Sequence, residues 1–385
     1  MKKIILSLMI FLSVFGVTVL FRNVYVSRAE VRAKSCILMD YDSKTVVYKQ
    51  NEKERRPIAS MCKIMTLLLI FEKIDNGNIS LDETMTISET AAGMGGSQAF
   101  LEAGGEYPVK ELIKSIVIAS ANDSCVAFAE RISGSEDQFV EKMNSRAKEL
   151  GMNDTLFSNC TGLPKPTQYS TAEDAAKMFS ELIKHETYFE FTKIWTDAIN
   201  HPKGRITELT NTNKMVRFYN GCDGGKTGYT AEAGHCLSVT AKRGNMRLVA
   251  VVIGAPDSKT RFAAASELLN KGFNEYENKT ILNSTEAMDF TVYVHGGVKK
   301  NVLVKPEKDC YFFCKKGTQT DFRVDAEQDF GVKAPLKEGD RVGVLKVYKD
   351  NAEYDEVSLV AAENIDEISY FGYIRDVMRN WSLCG

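Results

Sequence analysis

The sequence predicts an α/β (α+β) domain of hairpins and helices, then a small all-β domain, then one amphipathic helix. Three observations carry this. Between Cys36 and Phe273, hairpin-like strands bracket several stretches with apolar residues at helical spacing. From Phe290 onward, short alternating runs are separated by glycine and charge clusters. At the end, Tyr370, Tyr373, Ile374, Val377, Met378 and Trp381 fall on one helical stripe.

The N-terminus stands apart from these elements. Lys2 and Lys3 precede an uncharged, mostly apolar run from Ile4 to Phe21. Small-residue cleavage sites follow at Ser27-Arg28-Ala29 and Val31-Arg32-Ala33. The pattern predicts a secretory signal peptide over residues 1–29, and hence export. The alternative is an uncleaved anchor, because the run is just long enough to span a bilayer.

Cys36–Met39 and Thr45–Tyr48 then read as strands of a hairpin around Asp40–Lys44. Ser60–Lys73, Glu111–Ile118, Ser124–Ile132, Phe139–Leu150 and Ala172–Lys184 read as helices. Gly151 supplies a stop for the fourth. Cys236–Ala241 and Arg247–Ile253 form a second hairpin across Lys242–Asn245, and a helix over Arg261–Phe273 follows. The expected units are a larger mixed domain at 34–276, a β-rich domain at 283–364 and a membrane-anchoring helix at 366–385. The boundary falls near Tyr276–Leu282. In the terminal helix, Arg375, Arg379 and Ser382 lie opposite the stripe, an arrangement suited to the lipid headgroup boundary. Docking of that helix on its own protein is the competing reading.

Composition narrows the function. A net charge of -2 gives no basic field for nucleic acid. The nine cysteines are odd in number and scattered, without a C-x-x-C pair or a zinc-like histidine partner. They read as small buried apolar residues. With four histidines and no H-E-x-x-H, a zinc peptidase is disfavoured, and so is a Ser-His-Asp hydrolase, since no G-x-S-x-G occurs. His235 reads as a structural strand residue. No metal and no cofactor is expected.

Three short motifs carry chemistry. Ser60-Met61-Cys62-Lys63 opens the first long helix, where positions i and i+3 share a face, so Ser60 and Lys63 can meet. A serine hydroxyl needs a base, and a lysine serves only when neutral. Activity near neutrality requires a lowering of its pKa by about 3 pH units, roughly 4 kcal/mol, which burial and a second cation favour. Ser120-Ala121-Asn122 lies between two helical stretches. Its serine can relay a proton to a leaving amine, and its amide can hold both Lys63 and a substrate amide. Lys226-Thr227-Gly228 leads into a strand, where lysine and threonine can grip a terminal carboxylate. Gly228 leaves room for a ligand backbone added to the sheet edge. The N–H groups of Ser60 and Tyr229 suit an oxyanion hole.

Each motif alone is common. Their order, S-x-x-K, then S-x-N about 60 residues on, then K-T-G about 100 residues beyond, is that of serine β-lactamases and penicillin-binding proteins. With "RRPIASMCKIMT", "IASANDSCVAFAE", "FVEKMNSRAKELGMNDTLFSNCTGL", "STAEDAAKMF" and "GCDGGKTGYTAEAGHCLSVTAKR", the chain resembles the low-molecular-mass penicillin-binding proteins that act as D-alanyl-D-alanine carboxypeptidases. The resemblance covers about Lys34 to Tyr276, and the later β module and helix fit the same layout.

The resemblance implies an antiparallel sheet with helices on both sides and a site between sheet and helical lobe. It implies Ser60 as acylated nucleophile, Lys63 as base, and Ser120 and Asn122 in proton transfer and substrate holding. Lys226, Thr227, Gly228 and Tyr229 would bind substrate, with Arg261 near its carboxylate. It further implies peptidoglycan stem peptides as substrates, β-lactams as covalent inhibitors, and a place on the outer face of the cytoplasmic membrane, peripherally attached. Two departures stand out. Met61-Cys62 replaces a common Leu-Thr, which puts Cys62 beside the nucleophile, where oxidation would matter. Cys160 stands where proline is frequent.

Rival readings remain at this stage. A β-lactamase needs a second base, and Glu149 with Asn153 has a lactamase-like spacing. A D,D-endopeptidase would use the same residues. A non-catalytic sensor would be expected to lose part of the set, and here the set is complete.

Overall fold

The computed structural model describes residues 31–382, so the signal-peptide expectation and Cys384 lie outside the described residues. Strands β1 (Ser35–Asp40) and β2 (Val46–Gln50) form the first hairpin. Two small hairpins follow, β3 (Thr84–Thr86) with β4 (Glu106–Pro108) and β5 (Thr196–Asn200) with β6 (Ile206–Thr210). Then come β7 (Cys222–Thr230), β8 (Gly234–Arg243) and β9 (Met246–Ala255). They build a five-stranded antiparallel sheet in the order β2-β1-β9-β8-β7, with β7 at its edge.

The sequence of β9 explains its place. Met246–Ala255 is nearly all apolar and nearly all buried, as expected of a strand covered on both faces. Val249, Val251 and Ile253 join one core, and Leu248, Ala250 and Val252 the other, following the two-residue alternation of a strand. The first core holds helices Lys63–Asp75, Val109–Ala119, Asn122–Ser133, Glu136–Glu149 and Ala172–Leu182. The second holds helix Ser258–Glu275, through Ala264, Ala265, Leu268, Leu269 and Phe273. The expected sheet with helices on both sides is the one found.

The segment read as a boundary is itself a strand. β10 (Tyr276–Leu282) runs straight out of helix Ser258–Glu275 and pairs with β13 (Cys310–Lys315). Tyr276 stacks on Phe313 with ring centroids 5.0 Å apart. With β11 (Thr291–Tyr293), β12 (Asn301–Pro306), β14 (Phe322–Gln328), β15 (Arg341–Lys349) and β16 (Ala352–Ala361), it encloses a separate core. The larger sheet has the order β11-β12-β16-β15-β14. Asp350 and Asn351 turn β15 into β16 with φ of 51° and 65°, as a tight hairpin of this type demands.

Helix Tyr370–Ser382 follows. Tyr370, Phe371, Tyr373, Ile374 and Met378 are exposed, Phe371 by 81%. No helix among the described residues is long and apolar enough to cross a membrane.

Candidate active site

Ser60 lies in a 3-10 turn, Ala59–Cys62, that feeds the α-helix Lys63–Asp75. The sequence reading started a regular helix at Ser60; the tighter turn comes with Ala59 in the left-handed region, φ 48°. Two glycines explain how this turn is held. A Cβ on Gly162 would stand 2.1 Å from the Ala59 carbonyl oxygen. A Cβ on Gly228 would stand 2.7 Å from the Ile58 carbonyl oxygen and 3.1 Å from the Ser60 nitrogen. Backbone from the helical lobe and from β7 thus close on the serine from two sides. Gly228 thus makes room for the Ser60 turn itself, a close approach the sequence reading did not anticipate.

Lys63 donates to Ser60 Oγ at 3.1 Å and also to the Thr161 carbonyl. It is fully buried, and burial pushes its pKa below the ordinary 10.5. The helix spacing read from sequence brings the two side chains together.

Ser120 ends helix Val109–Ala119 in the left-handed conformation, φ 65°, which turns its side chain out of the helical register. Lys226, on β7, donates to Ser120 Oγ at 2.9 Å and to the Thr227 carbonyl at 3.1 Å. This bond ties the helical lobe to the sheet edge. Lys226 is buried too, and burial, with the Lys63 charge adding to it, holds its pKa well below the ordinary lysine value.

Asn122 opens helix Asn122–Ser133, and its amide donates to the Gly95 carbonyl at 2.6 Å. The expected grip on Lys63 is not what that amide makes: its nitrogen is anchored on Gly95, in the loop between residues 92 and 106. Thr227 Oγ1 donates to Thr212 Oγ1 at 2.8 Å. Tyr229 is 60% exposed and stacks on His235, its cross-strand partner, at 4.3 Å. His235 is thus a strand residue, as read.

Arg261 sits behind β7. Its guanidinium donates to the carbonyls of Gly228 and Cys236, both at 3.3 Å, and to Ser258 Oγ at 3.2 Å. Burial lowers its pKa to about 10. It therefore holds the backbone of the K-T-G strand from behind.

The eight described cysteines are free and buried. Cys62 Sγ donates to the Asn159 carbonyl at 3.2 Å, and burial pushes its thiol well above the ordinary range. A buried thiol kept protonated is inert, so the expectation that oxidation matters at Cys62 is corrected. Cys160 uses its backbone N–H to reach Glu136 Oε1 at 3.0 Å, a bond a proline there cannot make. Glu149 is 63% exposed at its side chain and pairs with Arg146, so the lactamase-like spacing does not build a second base beside Ser60.

Three site residues escaped the sequence reading. Thr161 accepts from Lys63, Gly162 clamps the serine turn, and Asn159 Oδ1 accepts from the Gly162 nitrogen at 2.6 Å. All three lie in the stretch Ser158-Asn159-Cys160-Thr161-Gly162, where a side-chain acceptor two or three residues before a glycine signals a tight turn.

A serine bonded to a buried lysine, facing a second buried lysine on a sheet edge, defines a serine acyl-transfer site. The D-alanyl-D-alanine carboxypeptidase family matches residues 22–257, and the penicillin-binding protein 5 C-terminal domain matches 276–367. The D-alanyl-D-alanine carboxypeptidase DacF of Bacillus subtilis is 40% identical, over 91% of this chain and 90% of its own. DacC of Escherichia coli is 32% identical, over 95% and 92%. The crystal structure of penicillin-binding protein 3 of Streptococcus pneumoniae superposes with a TM-score of 0.71 at 26% identity, over 88% of this chain and all of that one. Penicillin-binding protein 5 of Haemophilus influenzae gives 0.67 at 29%, over 88% and 98%. The chain belongs to the D-alanyl-D-alanine carboxypeptidase family, as a low-molecular-mass penicillin-binding protein of the serine type.

Proposed function

We propose that Ser60 is acylated by stem peptides ending in D-Ala-D-Ala, releases the terminal D-alanine, and is acylated in the same way by penicillin. The single observation that carries this is Lys63 Nζ at 3.1 Å from Ser60 Oγ in full burial. Burial lowers the Lys63 pKa and so favours the neutral form, which takes the hydroxyl proton as Oγ attacks the penultimate carbonyl. The N–H groups of Ser60 and Tyr229 receive the developing oxyanion. Ser120, bonded to Lys226, relays to the departing amine the proton that Lys63 took, which returns Lys63 to its neutral form. Lys226 and Thr227 hold the terminal carboxylate, and Asn122 the substrate amide. Arg261 fixes the Gly228 carbonyl and with it the strand that the substrate joins. Water then hydrolyses the ester. Labelled penicillin, tryptic digestion and mass spectrometry test this: a label on the Ser60 peptide is expected, and an unlabelled Ser60 contradicts it.

The chain acts outside the cytoplasmic membrane. Its N-terminal run exports it, and helix Tyr370–Ser382 lies in the headgroup region with its exposed rings inserted. Five exposed large apolar residues on one short helix support this reading. Deletion of Tyr370–Gly385 is expected to free the protein from sedimenting vesicles; unchanged sedimentation would refute the anchor.

A further inference from the structure

Past Tyr229, β7 reaches Thr230 and the chain turns through Glu232 into β8. Beside that turn lies a cavity of about 570 Å³. Its walls are Arg55–Ala59, which leads into the serine turn, the loop from Gly162 to Tyr169, and Thr230 with Glu232. Ala59 and Gly162 line it, and Gly162 lies against the Ala59 carbonyl and the Ser60 nitrogen, so the cavity begins one residue from the nucleophile.

Its charges are not all satisfied internally. Arg55 pairs with Asp154 at 2.7 Å and lies over the Tyr169 ring; Arg56 pairs with Glu54 at 2.5 Å. Lys165 and Glu232 are exposed on the remaining walls, and among the described residues their side chains make no ion pair or hydrogen bond. One free cation and one free anion therefore border the same space.

A substrate strand added antiparallel to edge strand β7 has a fixed direction. With its terminal carboxylate at Lys226–Thr227 and its reacting carbonyl at Ser60, its upstream residues pass Tyr229 toward Thr230. At about 3.3 Å per residue, the third residue of the stem reaches the cavity mouth. We infer that this cavity is the subsite for the third stem residue, and that it selects a diaminopimelate-type side chain over lysine. Such a side chain ends in both an ammonium and a carboxylate, the complement of Glu232 and Lys165. The inference rests on the carboxypeptidase reading of Ser60.

Three synthetic acetylated pentapeptides test it, with meso-diaminopimelate, lysine or norleucine at position three, each ending in D-Ala-D-Ala. The readout is kcat/KM for D-alanine release by the full chain. At about fivefold per exposed ionic contact, the order is diaminopimelate, then lysine about fivefold lower, then norleucine about fivefold lower again. Glu232→Gln is expected to erase the lysine-to-norleucine ratio, and Lys165→Met the diaminopimelate-to-lysine ratio. Equal kcat/KM for all three peptides, or ratios that persist in both variants, would overturn the subsite and leave the carboxypeptidase standing. Release from none of the three would overturn the Ser60 reading itself.

Discussion

Around Ser60 the chain buries charge, and along Tyr370–Ser382 it exposes apolar rings. Lys63 and Lys226 are at most 1% exposed, whereas Tyr370 and Phe371 are 76% and 81% exposed. Both are unfavourable in water, for opposite reasons. The difference lies in who compensates. Each buried lysine has hydrogen-bond partners within the fold, in Ser60, Thr161, Ser120 and the Thr227 carbonyl. Among the described residues, nothing comparable covers Tyr370, Phe371, Tyr373 and Met378 of the terminal helix. The buried lysines are compensated within the chain, whereas the complement of the exposed rings, on the reading proposed above, is a lipid surface outside it.

The largest break in this comparison comes from removing the buried base. Lys63→Ala is expected to slow penicillin acylation by about 10³-fold, within the range typical of a lost general base, as read by labelling rate. Lys63→Arg is expected to fare no better, since a guanidinium stays charged. A rate within tenfold of the parent would show that another group takes the proton.

Next come the glycines that hold the serine. Gly228→Ala places a Cβ 2.7 Å from the Ile58 carbonyl oxygen, and the turn must shift. About 10²-fold loss of kcat/KM is expected from that displacement, with the protein still folded by circular dichroism. Full activity would mean that the serine turn is not clamped by β7.

The pH profile sharpens the same point. A lysine acts as a base only when deprotonated, and the deprotonated fraction rises with pH. Burial lowers the Lys63 pKa from 10.5, so the rising limb of kcat/KM lies below that value and activity falls tenfold per pH unit beneath the lowered pKa. A rising limb centred at 10.5 would contradict a desolvated base.

How far these features are visible in sequence differs between the two regions. The pairing of Ser60 with Lys63 follows from helical spacing, and the stripe from Tyr370 onward from the same periodicity. The bond from Lys226 to Ser120 spans 106 positions and depends on how the edge strand meets the end of a helix, which no local pattern encodes. The approach of Gly228 to the Ser60 turn was not legible, because a glycine shows only that something is close, not which backbone. β10 escaped because Tyr276–Leu282 is half-buried and polar, and becomes a strand only through its partner β13. β14 offers no clearer local signal: Phe322–Gln328 has no buried residue and is a strand through its pairing with β15 at a sheet edge.

Smaller effects are expected at the helix and in the β domain. Phe371→Ala should weaken partition onto anionic vesicles about tenfold, the worth of one inserted ring. The smallest effect is expected at the exposed Lys346–Glu327 pair of β15 and β14, 2.7 Å apart. Lys346→Ala should leave Tm within about one degree, as for most surface ion pairs.

D-alanine release from a pentapeptide ending in D-Ala-D-Ala, compared between the parent and Ser60→Ala, tests the central claim most directly. Release by the parent and none by the variant is the predicted result. Release that persists in the variant, or a folded parent that binds penicillin yet frees no D-alanine, would contradict it.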